Sequence, residues 1–215
     1  GGAMGLDQAE QIFVEASSEG EFYSKAEMLE GDLWLSCTAP LKHSLHSRLG
    51  VQGPEGVNAI NQLMRSNGVW EGASTDGAGF VSACRHIGVE PSDSILRMRG
   101  GGSAARSIAA AWSSEGGSII PEIGRRKLVR GTWDSSILES GNADISIDLD
   151  SAPSGGESVE LEADVQVSIS YNESSSNGDF AIIMLAAQHL EAWRALFASK
   201  GGGNFPNLAE VLSHL

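Results

Sequence analysis

The chain has 215 residues, enough for one large domain or two small ones. Its 28 acidic and 14 basic residues give a formal net charge of −14 at pH 7, which argues against general binding to nucleic acid or to anionic membrane surfaces. Hydrophobic residues make up 41% of the chain, enough for a core, and two cysteines are too few for a disulfide framework or a CxxC-type zinc site.

The first ninety residues predict a small α/β unit. No apolar run here or later approaches the ~20 residues of a membrane helix, and no secretory signal opens the sequence, so we expect a soluble, cytoplasmic protein. Residues 10–30 carry a weak helical signal, and Leu33–Cys37 is a short apolar strand. Strand character returns over Val57–Met64 and Val69–Ser74, with the hairpin signal Asn67-Gly68 between them. A helix follows, with apolar residues at Phe80, Ala83, Cys84 and Ile87.

The middle of the chain predicts a parallel sheet. A strand over Ser94–Met98 meets three glycines, and an alanine-rich helix then runs from Ser103 to about Ser114. Further strands are predicted at Ser118–Ile120, ended by Pro121, at Ala143–Ile147 and at Val165–Ile169. Strand, glycine turn, helix and strand is the order of a nucleotide-binding sheet. Arg97 and Arg99 are unusual in it, because a central parallel strand is normally apolar on both faces.

Two helices are predicted near the C-terminus. Asp179 is the expected N-cap of the first, whose apolar residues recur at Ile183, Ala187, Leu190 and Trp193. The second follows Phe205-Pro206 and uses Leu208, Val211, Leu212 and Leu215.

The glycine turn is the first candidate site. Glycines after a strand let the backbone approach a pyrophosphate, and the next helix offers free N–H groups and a positive dipole end. The predicted cofactor contacts are Gly100, Gly101, Gly102, Ser103 and Ala104. A lone glycine pattern is weak, and a plain turn between strand and helix remains the alternative.

Two further residues are candidates for catalysis. Lys42 follows a strand and a proline turn, where a lysine can point into a cleft and act as a base; a solvated lysine is the alternative. Asp76 ends the strand before Gly77 and faces the same crevice, and an Asx turn or a helix cap is its alternative. The histidines at 43 and 46 lack an evident third ligand, so no metal site is predicted.

Taken together, these segments resemble the shikimate dehydrogenase family. That family reads N-V-T-x-P-x-K, A-V-N-T, G-x-N-T-D-G-x-G-F, G-A-G-G-A-A-R and finally M-L-x-x-Q. The matching segments occur here in the same order between about residues 33 and 197: Ser36–Lys42, Gly56–Ile60, Gly72–Phe80, Gly100–Arg106 and Met184–Gln188. Five ordered matches are far more specific than any single one.

The resemblance implies reversible hydride transfer between shikimate and a nicotinamide cofactor, NADP or NAD, in aromatic amino acid biosynthesis by the shikimate pathway. Lys42 matches the family's catalytic lysine and Asp76 its partner, so the pair would take and return the hydroxyl proton. The expected contacts to shikimate or 3-dehydroshikimate are Thr38, Asn58, Gln188 and Tyr171.

The sequence departs from the family in two regions. The family's opening βα unit with S-x-S, which holds the substrate carboxylate, is not found, and Ser17-Ser18, Ser44 and Ser47 are only possible substitutes. Glu122 stands where the family has an arginine for the NADP phosphate, which favours NAD, although the nearby Arg125 and Arg126 weaken that inference. Acidic residues Asp148 and Asp150 replace the family's N-A-T run.

The resemblance also implies the architecture. It predicts an α/β fold with a small substrate domain, residues 6–90 and 180–215, and a Rossmann-like nucleotide-binding domain, residues 91–179. A shortened N-terminus would expose one sheet edge and favour a homodimer. The alternative to an active dehydrogenase is a non-catalytic homologue that binds a metabolite or another protein.

Overall fold

The computed structural model describes residues 10–38, 41–43, 49–51, 53–150, 158–170, 176–197 and 205–215. Its chain forms two compact units. Unit 1 comprises Gly1–Pro54, Asn58–Ser74 and Ala192–Leu215, and unit 2 comprises Glu55–Val57 and Thr75–Glu191. The predicted functional domains are divided at other residues, and their assignment to substrate and nucleotide stays a prediction. No helix in the described ranges is long and apolar enough to cross a membrane.

Unit 1 is built on a three-stranded antiparallel sheet in the order β1-β2-β3. Its elements are helix α1 (Glu19–Glu27), β1 (Leu33–Ser36), β2 (Gln62–Ser66) and β3 (Val69–Ala73). The Asn67-Gly68 hairpin is confirmed, because both residues have the positive φ angles, 50° and 77°, that such a turn requires. The strand expected from Val57 begins only at Gln62. Dimerisation through an outer strand stays a prediction.

The core of unit 1 lies between α1 and this sheet. Phe22, Tyr23 and Ala26 from the helix pack with Ile60 and Leu63. The Arg65 guanidinium donates to main-chain carbonyls at the end of α1, at Ala26, Leu29 and Gly31, which ties the helix to β2.

Unit 2 contains a four-stranded parallel sheet in the order β5-β4-β6-β7. Its elements are α2 (Asp76–His86), β4 (Ile95–Arg99), α3 (Ser103–Ser114), β5 (Ser118–Glu122), β6 (Ile145–Asp148) and β7 (Val165–Val167). Helix α4 (Ser176–Phe197) begins in this unit and ends in unit 1, where α5 (Leu208–Leu212) also lies. The strand order turns at β4, as in nucleotide-binding sheets, so the predicted α/β class with a Rossmann-like sheet is confirmed.

The two faces of this parallel sheet differ in chemistry. Leu96 and Met98 pack with Ile145 and Ile147 against Ile108, Trp112 and the other buried helix residues. The opposite face carries Arg97 and Arg99, and the described residues that connect β5 to β6 and β6 to β7 form no α-helix over it. The two arginines are therefore explained by a sheet whose second face is ionic.

Two predicted element ends are wrong. Pro121 does not end its strand but lies inside β5, in register with Met98, because β5 is the outermost strand and needs no N–H at that position. Asp179 is not an N-cap, since α4 already begins at Ser176 and Asp179 lies in its first turn.

Candidate functional site

One end of the unit 1 sheet gathers several of the predicted substrate residues. β1 ends, β2 begins and β3 ends there, because Ser36, Gln62 and Ala73 are in register. The pairing continues beyond the strands: the Cys37 N–H donates to the Asn61 carbonyl over 2.7 Å. The segment that leads to Thr38 and the segment that precedes β2 therefore leave the sheet together.

Lys42 is fixed at this end by its own backbone. It lies in a single 3-10 turn, Leu41–His43, where its N–H donates to the Thr38 carbonyl over 3.2 Å. Its carbonyl accepts from the Ile60 N–H at 2.9 Å. Burial raises the pKa of the neighbouring Cys37 thiol to about 11, while the positive charge of Lys42 acts in the opposite direction. The ammonium group is thus close enough to Cys37 to act on its charge.

Asn58 has an unusual backbone. Its φ angle is +49°, in the left-handed region, and its side chain is exposed between the buried residues Val57 and Ala59. A strained residue that presents a polar side chain is compatible with the predicted substrate contact. The role of Asn58 stays a prediction.

Two amides that were not among the predicted site residues, Asn61 and Gln62, lie at the same end of the sheet. They are only 4% and 2% exposed. The Gln62 side-chain oxygen accepts from Trp34 Nε1 at 2.9 Å and from Ser36 Oγ at 3.3 Å, so its NH₂ group faces away from both. That NH₂ group has no acceptor among the described residues. The sequence does contain a signal for Asn61. The run Ala59-Ile60-Asn61 fits the A-V-N pattern, with its asparagine three residues after Asn58.

In unit 2, the first turn of α2, which begins with Asp76, packs against the turn of α4 that carries Gln188. Asp76 is 5% exposed and is the first residue of α2, whose N-cap is Thr75, so the aspartate is not itself the helix cap. Three residues later, a Cβ on Gly79 would lie 2.8 Å from the Gln188 backbone nitrogen and Cα. The absence of a side chain at Gly79 thus allows α4 to pack its Gln188 turn directly on the first turn of α2.

The three glycines of the glycine turn have different surroundings. Gly100 adopts a φ of +115°, which side chains disfavour. A Cβ on Gly101 would lie 2.8 Å from the Leu128 nitrogen and closer still to the Lys127 carbonyl. Gly102 is the N-cap of α3, with nothing within 4 Å of its missing Cβ. Space is therefore open beside Gly102 at the start of α3, where the first N–H groups of a helix, here including those of Ser103 and Ala104, have no carbonyl partner within the helix.

Two of the acidic side chains at this edge of the sheet are paired with arginines of β4, and a third is held by the backbone of Arg125. Glu122 accepts from Arg97 at 2.8 Å, and Asp148 accepts from Arg99 at 3.0 Å. Asp150 accepts from the Arg125 backbone N–H, and the Arg125 side chain donates to the Asp150 carbonyl at 2.9 Å. Because the charges of Glu122 and Asp148 are compensated by arginines, these two carboxylates do not oppose a bound dinucleotide. The site fits the phosphates of the predicted cofactor.

A basic run follows β5. Arg125, Arg126 and Lys127 are exposed, and the Lys127 backbone lies against Gly101. Among the described residues, Arg126 and Lys127 pair with no carboxylate. The run therefore brings positive charge beside the glycine turn. Tyr171 lies outside the described residues, as do Ser44 and Ser47.

Comparison with known proteins agrees with these features. A segment of 88 residues, 40% of this chain, is 38% identical to the NADP(+) shikimate dehydrogenase of Syntrophomonas wolfei and covers 30% of that protein. A longer segment of 132 residues, 60% of this chain, is 32% identical to the same enzyme of Geobacter sp. strain M21 and covers 45% of it. Over these segments the chain is similar to shikimate dehydrogenases, in agreement with the predicted resemblance. The matched segments span less than half of either relative, and no protein-family model matches the sequence.

Solved structures agree in fold. Shikimate 5-dehydrogenase from Thermus thermophilus, solved with NADP(H) and shikimate, aligns with a TM-score of 0.63 at 20% identity over 84% of this chain and 77% of that one. The ligand-free 5-ketofructose reductase of Gluconobacter sp. strain CHM43 aligns with a TM-score of 0.64 at 18% identity over 94% of this chain and 85% of that one. The fold that these two enzymes share with this protein thus extends over most of the chain.

Proposed function

We propose that this chain catalyses reversible hydride transfer between shikimate, with 3-dehydroshikimate as its ketone, and a nicotinamide dinucleotide. The proposal is supported above all by the packing of Gln188 against Gly79 in the turn that begins with Asp76, because two motifs that are distant in sequence meet there. The backbone bonds that hold Lys42 to Thr38 and Ile60 support it from unit 1.

In this proposal Lys42 is the acid–base group. Oxidation of a secondary alcohol requires the hydroxyl proton to leave as the hydride departs, and the uncharged Lys42 amine would take that proton. In the reverse direction the Lys42 ammonium would return it to the forming alkoxide. Asp76 would orient Lys42 and share its proton. Thr38, Asn58 and Gln188, with the newly recognised Asn61 and Gln62, would bind the ring hydroxyls.

The glycine turn and α3 would hold the dinucleotide, whose nicotinamide ring, when bound, accepts or donates the hydride. Open N–H groups at the start of α3 would bind the pyrophosphate. We further propose that the cofactor is NADP(H). Glu122 is engaged by Arg97, whereas Arg126 and Lys127 offer positive charge beside the turn for a ribose phosphate.

Turnover tests the proposed reaction directly. NADPH oxidation with 3-dehydroshikimate and NADP reduction with shikimate are measured for the wild type, for Lys42→Ala and for the matched control Lys25→Ala. Lys25 lies on α1 and pairs with Glu21 at the surface, so its removal leaves turnover unchanged. Lys42→Ala lowers kcat by about 10²- to 10⁴-fold, as for loss of a general acid–base. A wild type that turns over neither substrate with either cofactor contradicts the proposal and favours the binding-module alternative.

The choice of cofactor needs its own variant. Arg126→Ala raises the KM for NADP by about tenfold, the effect of one charged hydrogen bond, and leaves the KM for NAD unchanged. Arg130→Ala is the control, because Arg130 is exposed and pairs with Asp134. Equal KM values for NADP in Arg126→Ala and wild type would exclude a role for Arg126.

A further inference from the structure

Helix α2 is capped by a residue of another helix. An N-cap side chain normally accepts a hydrogen bond from the second or third residue of its helix. The Thr75 side chain makes no such bond. Instead, the Gly77 N–H donates to the Ser107 hydroxyl of α3 at 2.9 Å, and Ser107 is 4% exposed. The first turn of α2 therefore depends on α3 for this bond.

The two helices touch at this point through their backbones. A Cβ on Gly77 would lie 2.6 Å from the Ser107 carbonyl carbon and 2.8 Å from the Ala111 Cβ. No side chain separates the start of α2 from α3, so a shift of α3 moves that turn directly. Asp76 immediately precedes Gly77 in this turn.

We propose that Ser107 is a positioning residue that holds Asp76 in its catalytic geometry. The inference rests on the proposed function, in which Asp76 orients Lys42. Ser107 lies four residues after Ser103, about 6 Å along α3 from the N–H groups that would bind the cofactor phosphates. One helix thus carries both the phosphate-binding end and the cap of the turn that bears Asp76. A small displacement of α3 would therefore move Asp76 directly, because no flexible side chain lies between α3 and the turn that bears this residue.

A purely structural cap makes a different prediction. Loss of such a cap lowers the folded fraction, but every folded molecule reacts at the normal rate. Loss of a positioning contact slows the reaction in folded molecules, and it slows the proton transfer in particular. The test therefore compares rates per folded molecule and measures the solvent deuterium isotope effect on kcat.

The variants are Ser107→Ala, Ser107→Cys, Ser107→Thr and the control Ser113→Ala. Ser113 lies on the same helix, and its hydroxyl donates to the Ala110 carbonyl one turn before it. Circular dichroism sets a temperature at which each protein is folded, and titration with NADPH counts the folded molecules. Ser107→Ala lowers kcat by about 10- to 100-fold, the cost of a misplaced catalytic group, while the KM values change little. Its solvent isotope effect rises, because proton transfer becomes more rate-limiting.

The other variants complete the test. Ser107→Thr keeps the hydroxyl and restores kcat. Cysteine is nearly isosteric with serine but is a poor hydrogen-bond acceptor, so Ser107→Cys shows the loss of kcat expected for Ser107→Ala. It keeps the test decisive if Ser107→Ala does not fold. Unchanged kcat per folded molecule in both Ser107→Ala and Ser107→Cys overturns the inference alone, as does an equal loss in Ser113→Ala. A wild type without turnover overturns the inference and the proposed function together.

Discussion

The polar ends of the two sheets are organised in opposite ways. At the end of the unit 1 sheet, backbone hydrogen bonds hold Thr38 and Lys42 in place, and the Gln62 NH₂ group has no acceptor in the described part of the chain. At the edge of the unit 2 sheet, Glu122 and Asp148 are each bound by an arginine. One end presents side chains for chemistry, whereas the other compensates its charges internally and presents backbone N–H groups.

This difference suits the two proposed ligands. A small polyol such as shikimate is distinguished by individual side-chain hydrogen bonds, which need donors and acceptors that the protein has not used. The phosphates of a dinucleotide are common to many cofactors and need only a helix start and open glycines. The ion pairs at the edge of the unit 2 sheet therefore stabilise the sheet itself. Single substitutions test this difference between the two sheet edges.

The largest effect is expected from breaking an ion pair of the unit 2 edge. Arg99→Leu leaves the Asp148 carboxylate, 3% exposed, without its cation. An unpaired buried charge costs about 3–5 kcal/mol of unfolding free energy. The control is Arg85→Ala, which removes exposed pairs with Glu90 and Glu115 and costs about 0–1 kcal/mol. Urea denaturation measures both, and a loss below about 1 kcal/mol for Arg99→Leu would show that this edge is not held by its ion pairs.

The adjacent glycines provide the next test of that edge. Gly101→Ala places a Cβ against the Lys127 and Leu128 backbone and destabilises the fold by about 1–3 kcal/mol. Gly102→Ala meets open space and changes stability by less than about 0.5 kcal/mol, but its methyl group lies where the cofactor phosphates would bind. Thermal unfolding and NADPH titration should therefore separate the two variants. Equal melting temperatures for them would refute the close packing at Gly101.

Much of the fold could be predicted because its signals are local. The Asn67-Gly68 turn and the helix Ser103–Ser114 depend on residues adjacent in sequence, and both predictions are confirmed. The prediction that Pro121 ends its strand was wrong, because a proline ends a central strand but not an outer one. The order of the strands in the sheet cannot be inferred from neighbouring residues in the sequence. The ionic face was visible only as two unexplained arginines, since their partners Glu122 and Asp148 lie far along the chain.

In the candidate site, too, local patterns could be predicted from the sequence and contacts set by strand pairing could not. The glycine turn has a local pattern, and the structure explains Gly100 by its positive φ angle and Gly101 by its close packing. Asn61 and Gln62 were missed because their importance comes from strand register, which pairs Gln62 with Ser36 and Ala73. The ribose contact predicted for Glu122 stays a prediction, and its pairing with Arg97 could not be foreseen because the two residues become neighbours only when β4 and β5 pair.

The smallest effect concerns the unit 1 end and appears only at alkaline pH. Burial raises the Cys37 pKa to about 11, above the ordinary value of 9.0, so the folded state keeps a proton that the unfolded state loses. Stability from this group is complete below pH 9 and is lost as the pH rises through 11, with a loss of about 1 kcal/mol by pH 10. Cys37→Ala should therefore lose less unfolding free energy than the wild type between pH 8 and pH 10. Cys84→Ala is the matched control, because burial also raises the pKa of the Cys84 thiol in unit 2. If Cys37→Ala and wild type show the same alkaline loss while Cys84→Ala is protected, the Cys37 thiol is open to solvent, and the end of the sheet that carries Lys42 is looser than its backbone hydrogen bonds indicate.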